Sequence, residues 1–399
     1  MKTTTKFKSL IVLLALLISS SVAPASAEVK LPAQDCQIAS SGSEWNTVGF
    51  PLTSRFSGTQ QIPTLPLTGK IKILYVPVDF SNYPDTSSPV GYGQSITKLV
   101  AEFYHSMSYN KVTLDFKILP SYVRMPSPAE SYGLSGRGQG DYFGFFSQAL
   151  QEAAKTHDIS GFDAVVVLGS PRVPLSAFTP GPAFLRQVIT EDGAVRLGAA
   201  TGSVSSPENG FRWMAHEIGH LFGWADLYNV TGPDTVFSDR HVAFGYWDIM
   251  SMNWLTFSLQ INGWFRFQAG WIEDDGIVCL SGLKDGTYEI PLSPLHKKGG
   301  TRIVAIKISD QEVLVIENRK RGSYSPMPGG SNGLLVYLVN GRHSSSKAPI
   351  TIVRKDSLMT DHALSRATLK QGESVNVTNL SITNLKAFKK TILLKVEVK

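Results

Sequence analysis

Cysteine is nearly missing from this chain, with Cys36 and Cys279 the only two in 399 residues. That excludes a structural metal site closed by four cysteines. Charge is thin too, at 18% of residues with a formal net charge of +6. Long apolar runs are absent, since Leu10 to Ile18 falls far short of the roughly 20 residues that span a bilayer. No segment carries the run of acids that a calcium loop needs. Gly329-Gly330-Ser331-Asn332-Gly333 is flexible but uncharged, so calcium is not indicated by any motif. The dense basic stretches are Arg319-Lys320-Arg321 and Lys297-Lys298, and neither is interleaved with aromatics. A nucleic-acid partner is therefore not expected, and both stretches read as solvated surface. No internal repeat is apparent.

What is present begins at the N-terminus. Lys2, Lys6 and Lys8 precede the apolar run, and Ala25-Ser26-Ala27 offers small residues for cleavage before Glu28. Residues 1–27 thus read as a secretory signal peptide of bacterial layout, which predicts a secreted protein without a transmembrane anchor. Without those three lysines the net charge falls to about +3. In an oxidising compartment an even cysteine count favours a Cys36–Cys279 disulfide. Two alternatives stay open: Cys36 as a latency ligand on a metal, and two free buried thiols.

The most specific stretch is His216-Glu217-Ile218-Gly219-His220, followed by Gly223 and Asp226. On a helix, positions i and i+4 share a face, so His216 and His220 can offer imidazoles to one metal ion. Glu217 is placed to act on a water at the open coordination position as general base. Ser206, Pro207 and Glu208 supply the N-cap, first position and first-turn acid of that helix. Gly223 can end it in a left-handed conformation and turn Asp226 back as a third ligand. Three protein ligands and an open position are the composition of a catalytic zinc site. One catalytic Zn2+ is the cofactor this predicts.

Downstream, Gly245-Tyr246-Trp247-Asp248-Ile249-Met250-Ser251 resembles the methionine turn of metzincin peptidases, with Met250 packing beneath the metal. Taken with Asp226-Leu227-Tyr228-Asn229, these motifs resemble the immune inhibitor A-like family of bacterial secreted metallopeptidases. Val76-Pro77-Val78-Asp79-Phe80, Phe103 to Leu114, Val313 to Arg319 and Gly333 to Tyr337 agree with that family, so the resemblance runs from about residue 70 to 340. It implies a zinc-dependent endopeptidase, and with it a protein or peptide substrate; a monomer is expected. Tyr246 and Trp247 would border the pocket for the substrate side chain. Two departures matter. Asp226 stands where the more widespread pattern has histidine, and Met252 stands where some relatives carry a tyrosine, which leaves the oxyanion donor unassigned. Two other functions stay open, a surface-binding protein with a vestigial site and a zinc amidohydrolase acting on cell-wall peptides.

The expected fold class is α+β, with a metzincin-like catalytic domain followed by an all-β, sandwich-like region. Residues 28–67, rich in Ser, Gly, Pro and Thr, read as an irregular N-terminal segment and candidate pro-region. Strands are expected at Ile71–Phe80, Lys111–Ile118 and Phe162–Leu168, with helices at Ser95–Met107 and Tyr142–Lys155. The catalytic domain would span 68–282, its cleft-bordering strand lying somewhere in Ser170–Ser206. Short alternating runs from Tyr288 to Val398 predict the β domain over 283–399. Within it, Glu317 and Arg319 are expected to pair. Asn376-Val377-Thr378 and Asn379-Leu380-Ser381 match glycosylation sequons, to which a bacterial origin gives no meaning.

Overall fold

The computed structural model describes residues 30–39, 47–52, 54–55, 61–62, 64–135, 140–179, 181–189, 195–202, 204–230, 243–251, 260–322, 324, 332–355, 364–389 and 391–399. The expected signal peptide, Met252 and the loop Gly329–Ser331 lie outside them. The chain is mixed α/β, with few helices and several sheets, compatible with α+β. No helix among the described residues is long and apolar enough to cross a membrane.

The N-terminal segment contributes three two-residue strands, β1 (Lys30–Leu31), β2 (Ser54–Arg55) and β3 (Gln61–Ile62). Next come β4 (Gly69–Phe80), α1 (Pro89–Met107), β5 (Val112–Ile118), β6 (Val123–Met125), α2 (Tyr142–Ala154), β7 (Ala164–Gly169), β8 (Ala183–Ile189), β9 (Val195–Thr201) and α3 (Pro207–Leu221). Helix α1 starts six residues before the sequence-based expectation. Its signal is Ser88-Pro89, an N-cap whose hydroxyl accepts from Val90 N–H and a proline in the first turn. The first sheet has the order β5-β4-β7-β9-β8, with β6 also on β4. Its strands are parallel except β8, which runs antiparallel to β9 along the edge.

Alternation along β4 and β7 separates two cores. Ile71, Ile73, Tyr75, Ala164, Val166 and Leu168 join α1 and α3 in one cluster. Leu74, Val76, Val78, Val165 and Val167 join α2 in another. Both faces are covered, which explains the unbroken apolar run of β7.

The remaining elements are α4 (Gly263–Gln268), β10 (Ile277–Leu280), β11 (Gly286–Leu292), β12 (Ile303–Ser309), β13 (Glu312–Arg319), β14 (Gly333–Asn340), β15 (Ile350–Ile352), β16 (Ser374–Val377), β17 (Leu380–Ala387) and β18 (Ile392–Val398). They form a six-stranded sheet, β1-β10-β12-β13-β14-β15, and a four-stranded sheet, β11-β18-β17-β16. Val278, Val304, Leu314 and Val336 of the first meet Ile290, Ile382 and Leu394 of the second in one cluster. The opposite face of the six-stranded sheet, with Cys279, Ala305, Val315 and Tyr337, enters the cluster that holds α1 and α3. The layers therefore run α2, parallel sheet, helices α1 and α3, six-stranded sheet, four-stranded sheet.

This layering differs from the expected division at residue 282. Strands β1 and β10 come from before that point and belong to the later sheet, because Lys30 and Leu31 pair with Leu280 and Cys279. Nor do the described residues of 28–67 hang free as a removable segment would. Cys36 and Cys279 form a disulfide, with Cα atoms 5.7 Å apart, and Cys36, Ile38 and Val48 are buried in the central cluster. The indole of Trp264 donates to Val48 O at 2.7 Å, and that of Trp271 to Leu67 O at 2.7 Å. The Cys36 sulfur is thus engaged with Cys279, away from the histidines.

Candidate metal centre

Helix α3 begins as its sequence requires, with the Ser206 hydroxyl accepting from Asn209 N–H at 3.2 Å. At the other end Gly223 takes φ +102°, in the region that favours glycine. Carbonyls of a final turn have no partner within their own helix. Here the N-terminal segment supplies them, since Leu65 N–H donates to Leu221 O at 2.9 Å and Thr47 N–H to Gly223 O at 3.3 Å. Partway along the helix, Tyr104 of α1 donates its hydroxyl to Ala215 O at 2.6 Å.

His216 and His220 face one point. Their ring centroids are 4.8 Å apart and nearly perpendicular. His216 Nδ1 lies 2.8 Å from Ile249 O and His220 Nδ1 lies 2.9 Å from Trp224 O. A carbonyl only accepts, so both Nδ1 atoms carry a proton and both Nε2 atoms are turned toward Asp226, each a lone-pair donor whenever its ring is neutral. Asp226 Oδ1 stands 3.2 Å from His216 Nε2 and 3.1 Å from His220 Nε2, is buried, and makes no conventional hydrogen bond. With a proton on His220 Nε2 the three atoms pair as imidazolium and carboxylate, and with both rings neutral they are three acceptors converging on one point, an arrangement that a cation completes. His216, Glu217 and His220 also present ligand atoms within 4.8 Å of one another. Glu217, however, accepts from Ala183 N–H of β8 through Oε2 at 2.6 Å, while Asp226 reaches both imidazoles. The chemistry of the donor set thus fits a metal ion that His216, His220 and Asp226 would hold, with Glu217 beside it.

Electrostatics follow the geometry. Burial raises the Glu217 pKa, the two histidines oppose this, and Asp226 adds to it. Burial alone would lower the His220 pKa, but Asp226 reverses the effect and raises it to about 9 without a cation. Burial likewise disfavours the Asp226 carboxylate, yet His220 and His216 hold its pKa well below the usual range.

Met250 is fully buried and packs on α3 at Gly219, where a Cβ atom would collide with the Met250 sulfur. Gly219 therefore lets the turn approach between the two histidines. Asp248 anchors that turn. Its Oδ1 accepts from Met250 N–H at 2.7 Å, and its Oδ2 accepts from Asn262 N–H at 2.6 Å and Asn262 Nδ2 at 2.9 Å. Trp247 is only 2% exposed, with its indole N–H on Leu364 O at 2.9 Å. Its ring belongs to the core and offers no open pocket wall, in contrast to the expected role. Tyr246 is half-buried.

Sequence reasoning missed several supports. Ser345 and Ser346, in the β14–β15 connection, place hydroxyls 3.4 and 3.1 Å from Asp226 Oδ2, and Asp226 N–H donates to Ser345 Oγ at 2.9 Å. Tyr228 is hydrogen-bonded to Asp226 and Ser346. Burial raises its pKa well above 10, and Asp226 and Glu217 raise it further. From β13, Arg319 donates to Trp247 O at 2.7 Å and pairs with Glu317, which accepts from Gly263 N–H at 2.6 Å and from the Tyr337 hydroxyl at 2.9 Å. The Glu317–Arg319 pair is therefore present and braces the methionine turn. Comparison with known proteins adds nothing to this geometry, since no protein-family model and no curated protein matches the chain.

Proposed function

We propose that this chain is a zinc-dependent endopeptidase of metzincin-like design, its later strands packed as a β-sandwich, and that it acts as a secreted enzyme. The convergence of His216 Nε2, His220 Nε2 and Asp226 Oδ1 with Glu217 alongside carries this reading. A bound zinc ion supplies Lewis acidity and lowers the pKa of a water molecule to roughly 7. Glu217, with a raised pKa and one oxygen fixed by Ala183 N–H, would serve as the general base, holding a proton that the leaving amine would receive as the peptide C–N bond breaks. The carbonyls of Ile249 and Trp224 hold the two imidazoles in the tautomer that leaves Nε2 free.

Strand β8 supports a polypeptide substrate. It is the antiparallel edge of its sheet and touches the general base through Ala183, so an extended peptide laid along it would bring its backbone to Glu217. The β2–β3 pair also lies close to β8, with β3 as its neighbour, so the N-terminal segment shares that border.

Digestion of unfolded casein by the purified protein, beside Glu217→Gln and with zinc measured in both, tests the reading. Cleavage by the parent alone, with equal zinc in the two proteins, is the expected outcome. Cleavage that survives both Glu217→Gln and chelation would overturn it.

A further inference from the structure

The two basic stretches that read as solvated surface are not separate in the folded chain. Leu295 N–H donates to Asn318 O, which brings the Pro294–Lys298 turn alongside the end of β13. Lys320, the next residue after β13, reaches the β17–β18 hairpin tip and donates to Phe388 O at 3.4 Å and Lys389 O at 3.0 Å. At that tip Phe388 N–H bonds Thr391 O, closing a tight turn, and the Lys386 ammonium sits 5.1 Å from the centre of the Phe388 ring. Half-buried His296 lies among these charges. Burial lowers its pKa to about 4, helped by Lys297, Arg266, Lys320 and Arg319.

Lys320, Lys386 and Lys389 thus meet at this tip, with Lys297 close by across His296, and none pairs with a carboxylate among the described residues. Beside Lys386 and Lys320 stands Phe388, 46% exposed. Only Leu175 and Val230 compare with it among the described large hydrophobic residues, and neither is aromatic. An apolar ring on a hairpin tip flanked by lysines that no carboxylate neutralises has the composition of a bilayer-interface contact. The ring enters the headgroup boundary while lysine stems lie along it with their ammonium groups at the phosphates. A soluble polyanion would use the cations but would leave the exposed ring without a partner. Charge complementarity and the apolar tip therefore agree on one occupant.

We propose that this face, centred on Phe388 with Lys386, Lys389 and Lys320, docks the protein on an anionic phospholipid bilayer. The inference concerns binding alone and stands or falls independently of the peptidase reading. The test is co-sedimentation of the purified protein with phosphatidylglycerol–phosphatidylcholine vesicles and with pure phosphatidylcholine vesicles, at low and high salt. Salt-sensitive binding to the first and none to the second is expected. Lys386→Ser/Lys389→Ser should weaken the partition roughly 30-fold, taking the usual surface attraction per lysine. Phe388→Ser should weaken it about tenfold or more.

Lys284→Ser/Lys399→Ser is the matched control. It removes the same charge at the other end of the four-stranded sheet, where Gly286 pairs with Val398, whereas the tip lies beyond the Leu292–Ile392 pair. The control should bind as the parent does. Equal weakening by the control would reduce the effect to diffuse net charge and overturn the proposal. Full binding by Phe388→Ser, together with competition by polyphosphate, would overturn it in favour of a polyanion site. No binding of the parent to anionic vesicles would overturn it outright.

Discussion

Glu217 and Gly219 stand two positions apart on α3 and do different work. Glu217 holds β8 through Ala183 and faces the ligands, so Glu217→Gln should leave zinc content unchanged and lower kcat by about 10²–10⁴-fold. Steady-state kinetics beside metal analysis checks this. Gly219 is the place where Met250 meets the helix. Gly219→Ala forces the methionine turn away, with an expected loss of about 1–3 kcal/mol in denaturant unfolding. The two histidines were legible in the sequence because helical spacing puts them on one face, and Glu217 because it follows the first of them in a known zinc motif. The demand on Gly219 was not, because it depends on a side chain 31 positions later that arrives only in the folded chain.

At the scale of elements, strands were legible to within a few residues where apolar residues recur regularly, as in β4 and β5. Strand β8 was not, since its sequence lies in a stretch rich in Gly and Pro and its edge position is a property of the sheet. The β14–β15 connection was equally silent, yet its serines hold Asp226 from about 120 positions away. Ser346→Ala should raise the zinc dissociation constant about tenfold, as loss of an outer partner commonly does, and competition with a chromogenic chelator would measure it.

The methionine turn should respond to pH. Burial raises the Asp248 pKa to about 6, against the pull of Met250 N–H, Asn262 N–H and Arg319. Unfolded aspartate titrates near about 3.9. Between those values the folded state binds the proton more tightly, so the contribution of Asp248 is present below about pH 4 and is lost as pH rises through about 6. Melting temperatures of Asp248→Asn should therefore gain on the parent from pH 4 to pH 6.5. A constant offset between the two proteins would count against this.

Of the three clusters, the central one packs residues from Ala33 to Ala367 around α3 and joins the parallel sheet to the six-stranded sheet. The Cys36–Cys279 bridge closes a loop with a sequence separation of 243. Replacing both cysteines by serine should cost about 2–5 kcal/mol by equilibrium unfolding. A chain beginning at residue 68 should lose stability and activity together, because Val48, Thr47 and Leu65 complete α3 and α4. Gain of activity on that truncation would instead reveal an inhibitory segment.

The serines that hold Asp226 and the arginine that braces the methionine turn carry an implication for the order of biosynthesis. A ribosome makes His216, His220 and Asp226 well before it reaches Arg319, Ser345 and Ser346. During that interval the ligands exist on a chain that lacks the groups orienting them. A nascent polypeptide therefore carries the motif without the groups that orient it, and the site can be assembled only after Ser346 has been added.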